Sequence, residues 1–152
     1  MNNMHVLKCI VLLLFFLLPV FSLEAQGRIA EENPASYIGL TLIELISRLG
    51  VPGSVYPARG LEEWQDDVVF VYEMGDFYIL KDRVWQVGLR TFRGIKTGDT
   101  RALVSLILGS DFQSRNDSIF YSLDGGSWPM MLRLDIDKDD KVKVIFIYRT
   151  DL

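Results

Sequence analysis

The side chains whose type and spacing could do chemistry in this sequence are carboxylates. Glu62, Glu63, Asp66 and Asp67 crowd one loop around Trp64, and a pair of acids is the minimal apparatus of glycoside hydrolysis. That chemistry needs two carboxyls facing each other across a cleft of about 5 to 10 Å. A short chain with tight connections offers little cleft, and a solvated acidic loop accounts for the same residues. A second acidic run, Asp135-Ile136-Asp137-Lys138-Asp139-Asp140, resembles the front of a calcium loop. The sixth position should be Gly and the twelfth Glu, but Asp140 and Phe146 stand there, so a hairpin turn is expected instead. Gly94-Ile95-Lys96-Thr97-Gly98-Asp99-Thr100 has the look of a phosphate cradle without the spacing of one, and Gly98-Asp99-Thr100 suffices to start a helix.

Other catalytic routes are closed by composition. The sequence holds one His and one Cys, His5 and Cys9, and both fall in an N-terminal segment patterned as a secretion signal. Lys8 supplies positive charge, residues 9–21 form an apolar run broken by Pro19, and Ser22-Leu23-Glu24-Ala25-Gln26 turns polar. Residues 1–25 are therefore expected to be a signal peptide, cleaved after Ser22 or after Ala25. The apolar run is shorter than the roughly 20 residues a membrane-spanning helix needs, and Cys9 stands at the wrong end of it for a lipid-modified cleavage site. The remainder carries neither thiol nor imidazole, which removes disulfides, Cys nucleophiles, Ser-His-Asp triads and the usual zinc sites together. No enzymatic activity, no cofactor and no metal are expected, and the predicted location is bacterial, periplasmic or secreted.

Length and charge narrow the class further. At 152 residues and 49% hydrophobic content, the chain can build one ordinary core. Its formal charge is -4; loss of residues 1–25 takes away Lys8 and Glu24 and leaves the balance unchanged. A mildly acidic chain with scattered Lys and Arg has no footprint for nucleic acid.

Residues 26–38 are polar and turn-rich, a flexible lead-in that docks at Tyr37 and Ile38. The rest, 39–152, reads as a single domain in two repeats, 39–93 and 94–152. Each opens on Gly-x-Thr and a short helix closed by Gly. In the first helix Thr41 and Glu44 form a capping box, Leu42, Leu45, Ile46 and Leu49 share one face, and Gly50 and Pro52 end it. The second, about residues 100–108, is apolar all round and is expected to be the more buried. After a Gly/Pro-rich loop, strand-like segments at 68–73, 77–81 and 84–90 answer to others at 118–123, 130–135 and 141–149, joined by connections short enough for hairpins. The expected fold is α+β: two tandem helix-plus-three-strand units sharing a mostly antiparallel sheet of about six strands, with both helices on one face.

The residues most suited to binding are aromatic and cationic ones near the helix-free face and its loops: Trp64, Trp128, Tyr72, Tyr121 and Arg133. Trp85 and Tyr148 are read as core.

Gly39-Leu40-Thr41 with Leu45, followed by Leu49-Gly50-Val51-Pro52, resembles the signature of the SmpA/OmlA-like small outer-membrane assembly lipoproteins. The duplicated arrangement is similar to the beta-lactamase inhibitory protein family. The resemblance implies an envelope or extracellular location, no catalysis, and protein binding through the sheet face and connecting loops. Together these readings predict an exported protein-interaction module of the cell envelope whose partner is an envelope or secreted protein. The alternative is a small-ligand or lipid-binding periplasmic protein with an apolar pocket between helices and sheet.

Overall fold

Alternating apolar residues and tight turns dictate an antiparallel sheet, and the sheet dominates the molecule. In a computed structural model, which describes residues 33–60 and 67–152, a 3-10 turn at Pro34–Tyr37 leads into α1 (Leu42–Leu49). Four strands follow: β1 (Ser54–Ala58), β2 (Asp67–Tyr72), β3 (Gly75–Leu80) and β4 (Arg83–Leu89). A small hairpin of β5 (Thr91–Phe92) and β6 (Ile95–Lys96) precedes α2 (Arg101–Leu108). The chain ends on β7 (Gln113–Arg115), β8 (Ser118–Leu123), β9 (Met130–Ile136) and β10 (Val142–Arg149). The large sheet has eight strands in the order β1-β2-β3-β4-β10-β9-β8-β7, and β5-β6 stands apart as a second, two-stranded sheet. The segment expected to be a signal peptide, residues 26–32 of the lead-in, and Trp64 with Glu62, Glu63 and Asp66 lie outside the described residues.

This corrects the expected α+β architecture of two helix-plus-three-strand repeats on about six strands. Among the described residues the fold is mostly β, with eight strands in one sheet and two α-helices of eight residues each. The two strands missed are the edges of the sheet. β1 carries Pro57 and is exposed at four of its five positions, and β7 is a polar three-residue strand exposed throughout. An edge strand needs no buried face and tolerates a proline whose missing N–H would point to solvent, so neither segment shows the alternation that marks an inner strand. As expected, α2 is the more buried helix, with three of its eight residues exposed against five of eight in α1. Each helix contributes one fully buried side chain, Leu45 and Val104, although α2 leaves Leu106 81% exposed.

One face of the sheet carries the core. In register across it run Phe70, Phe77, Val87, Ile147, Leu132 and Tyr121, each opposite the next. Leu45 and Val104 belong to the same cluster, as does Tyr37, whose ring meets Phe77 edge-on at 5.4 Å. Helix ends are tied to strands by hydrogen bonds. Tyr72 Oη donates to the Gly50 carbonyl at 3.1 Å, and Tyr121 Oη to the Gly109 carbonyl at 2.9 Å. At the start of α1, the Gly39 amide donates to the Val84 carbonyl (2.8 Å) and the Leu42 amide to that of Asp82 (3.1 Å). Gly39 has φ +87°, and a Cβ there would fall onto the Trp128 indole, so the residue must be glycine twice over.

Candidate functional site

Because neighbours across a ladder point to the same side, register alone places the residues of the other face. One row reads Val69, Tyr78, Gln86, Tyr148, Met131 and Ser122, and the next Val71, Asp76, Gly88, Phe146, Arg133 and Phe120. No α-helix residue belongs to these rows. Tyr78, Phe146, Tyr148, Arg133 and Phe120 are half-buried there.

The centre of this face is a cation stacked on an aromatic ring. The Arg133 guanidinium sits 4.7 Å from the centroid of Phe146, an attraction of about 0.5–1 kcal/mol at a partly exposed site. Tyr78 meets the same ring edge-on at 6.2 Å. Asp135 steadies the cation: Arg133 Nη2 donates to its Oδ2 at 3.2 Å, and Ser118 Oγ donates to its Oδ1 at 2.7 Å. Arg133 Nε lies 3.0 Å from Asp135 Oδ1, but its N–H has no hydrogen-bond acceptor in line, so that contact is electrostatic. Tyr148 Oη rests against Met131 Sδ at 3.9 Å. Burial, then the nearby Tyr56, Asp76 and Asp67, raise the Tyr78 phenol above its ordinary range, so it is a neutral donor and acceptor at physiological pH.

Beside this cluster lies a groove of about 640 Å³ between the sheet and the β5-β6 hairpin. Its floor is Tyr78, Gly88 and Phe146, and its charged lining is Arg90, Lys96, Lys143 and Asp76. Gly88 leaves the floor low, since a Cβ there would stand 3.1 Å from Phe146 Cε1. Lys143 sits at a β-bulge, where the pairing with β9 skips from Val142 to Val144, a device that re-aims a side chain at a sheet's surface. Arg90 is paired with Asp76 at 2.8 Å.

A second hollow of about 560 Å³ is lined by the loop of residues 124–129 and the ends of β8 and β9. Trp128 forms part of it, but its ring is also a structural plate. Arg149 stacks on it at 3.6 Å and holds Asp151 through two bonds of 2.9 and 2.8 Å. That pairing keeps the Asp151 carboxyl below its usual range and raises the Arg149 guanidinium above its own.

Of the residues expected to bind, Arg133 lies at the centre of the helix-free face, Trp128 packs on the helix-covered side against the core, Gly39 and Arg149, and Trp64 is outside the described residues. Tyr72 and Tyr121 are placed on the helix-covered face, 9% and 7% exposed, where burial raises both phenols and each hydroxyl holds a helix end. Trp85, read as core, donates its indole N–H to Asp67 at 3.1 Å. The acidic run at 135–140 is a turn: Asp137 Oδ1 accepts from the amides of Asp139 (2.9 Å) and Lys141 (3.0 Å). Thr100 caps α2, accepting from the Leu103 amide at 3.3 Å. Among the described residues no cluster of His, Cys, Asp and Glu could hold a metal ion, and no helix is long and apolar enough to cross a membrane.

No family model matches this chain, and no curated protein does. Two solved structures resemble it. An extracellular protein containing an SCP domain from Bacillus anthracis superposes with a TM-score of 0.51 at 10% identity, over 80% of this chain and 47% of that one. The chain thus spans about half the length of that structure, and the likeness is one of fold. A DUF4309 family protein of Bacillus subtilis aligns with a TM-score of 0.44 at 18% identity, over 72% of this chain and 78% of that one.

Sequence reasoning missed Tyr78, Gly88, Lys96, Lys143 and Phe146 as members of one surface. The signal was present in β10, where Ile145 and Ile147 share one parity and Phe146 and Tyr148 the other. Only the pairing of β10 with β4 shows that the second set meets Gly88 and Gln86.

Proposed function

We propose that this chain is an exported, non-enzymatic protein-interaction module of the bacterial cell envelope. It engages another envelope or secreted protein through the helix-free sheet face and the adjacent aromatic loops. The observation that carries the reading is the Arg133–Phe146–Tyr78 cluster: aromatic and guanidinium groups, half-exposed on a face that neither α1 nor α2, the α-helices among the described residues, covers. These are the residue types that dominate binding energy at protein interfaces. Held on β3, β10 and β9 of one sheet, they lose little conformational freedom on docking.

Export is supported by the signal-like pattern of residues 1–25, and the Bacillus anthracis protein of similar fold is extracellular. The absence of His and Cys from residues 26–152 supports a non-catalytic role. Against a lipid or small-ligand carrier stands the filling of the space between helices and sheet by Tyr37, Leu45, Phe77 and Val104, all fully buried.

The test is affinity capture from envelope and culture-fluid fractions, with the wild type and two double variants. Tyr78→Ala with Phe146→Ala is expected to abolish recovery of the partner. Trp64→Ala with Trp128→Ala is expected to weaken it through the loops. Recovery unchanged by both pairs would sink the site assignment.

A further inference from the structure

The groove beside Phe146 differs in charge from the chain that carries it. The protein as a whole has a formal charge of -4, yet the lining of this groove sets Arg90, Lys96 and Lys143 against a single carboxylate, Asp76. Asp76 is already matched by Arg90 at 2.8 Å. The two lysines are exposed and form no ion pair among the described residues. One of them, Lys143, stands at a β-bulge, and Lys96 is the last residue of the β5-β6 hairpin that walls the groove. Two uncompensated cations thus border an aromatic floor kept open by Gly88, whose Cβ would otherwise press on Phe146.

We infer that this groove receives an extended acidic segment of the partner protein, with carboxylates against Lys96 and Lys143 and an apolar side chain over Gly88 and against Phe146. The inference rests on the interaction-module reading above and specifies the chemistry of the partner. Opposite charge draws the segment in and sets its register, while the aromatic floor supplies the desolvated contact. An extended chain suits the shape, because Lys96, Lys143, Arg90, Thr91 and Thr97 are all exposed and the groove is open along its rim. A strand presents side chains on one side at every second residue, so carboxylates can flank an apolar group.

The probe is a fluorescein-labelled synthetic peptide in which Glu alternates with Ser and Phe, compared with the same peptide carrying Gln for Glu. Fluorescence anisotropy with the full chain should give binding of the Glu peptide about tenfold tighter than that of the Gln peptide, with the advantage shrinking as salt rises. Lys96→Glu with Lys143→Glu, both at exposed sites, should cost that advantage or reverse it, while Lys141→Glu outside the groove should leave it intact. Equal affinity for the two peptides, or a preference untouched by the double charge reversal, would overturn the inference. So would inorganic polyphosphate displacing the peptide while itself binding more tightly, since the groove would then favour a phosphate polymer. Loss of partner capture on Tyr78→Ala with Phe146→Ala but no Glu preference would remove the inference and keep the broader reading. A clear Glu preference with partner capture indifferent to those substitutions would remove the broader reading and leave a groove selective for anionic chains.

Discussion

Phe146 faces Gly88 directly across the β4–β10 ladder, with 3.1 Å between its Cε1 and the place a Cβ on Gly88 would occupy. The gap at Gly88 makes room beside an aromatic ring that would otherwise be packed against a neighbour. Gly88→Val is predicted to fill that room and displace the ring, costing roughly 1–3 kcal/mol by overpacking. The thermal midpoint should fall, and partner capture should fall further than the midpoint alone explains. Full capture by a folded Gly88→Val protein would show that the space is not used.

Tyr72 and Tyr121 hold the ends of the two helices through single hydroxyl bonds to Gly50 and Gly109. Replacing either by Phe keeps the ring in the core and removes one bond to a carbonyl, a loss of about 1 kcal/mol. Strands β3, β4, β10 and β9 separate the two tyrosines in the sheet, so the costs should add in the double variant. Chemical denaturation of the two singles and the double checks this, and a strongly non-additive double would mean that the helix ends are coupled.

At Gly39 the backbone lies in the left-handed region and against the Trp128 indole. Gly39→Ala is predicted to lower stability by about 1–3 kcal/mol, through backbone strain together with loss of the indole's seat. Near-ultraviolet circular dichroism should report the displaced tryptophan. An unchanged spectrum and midpoint would contradict the close docking of Trp128.

The Glu44 carboxyl is held below its ordinary value first by the Thr41 amide and then by the Thr41 hydroxyl, at 2.7 and 2.9 Å. With a depressed folded-state value, the unfolded chain takes up the proton first. The stabilisation is therefore fully present above the unfolded carboxyl's value and is lost as pH falls through the folded one. Glu44→Gln should accordingly lower the thermal midpoint near neutrality and flatten its decline in acid. An acid limb of the same steepness in the variant would reject the capping contribution.

The capping box could be read in advance because it is local: Thr41, Glu44 and Gly50 start and stop α1 in the sequence as in the structure. The inner strands were legible for a similar reason, since alternation in β3 and β9 records a face buried on one side. The edge strands β1 and β7 bury no face and left no such record. The surface was hidden by distance along the chain. Tyr78, Gly88 and Phe146 are brought together only by the β3–β4 and β4–β10 registers, whereas Tyr72 and Tyr121, attractive as surface aromatics, were claimed by helix ends. Arg133 was found because its residue type suits an interface, although the ring it stacks on lies on another strand.

The most direct test of the binding face is photo-crosslinking in the living cell, with a photoreactive phenylalanine placed at Tyr78 or Phe146 on the helix-free face and at Ile43 or Leu106 on the helices. The last two are 75% and 81% exposed, so accessibility does not favour the face. Covalent adducts to a second polypeptide are predicted from positions 78 and 146 and not from 43 and 106. Adducts from the helix positions alone, or none from 78 and 146, would contradict the account.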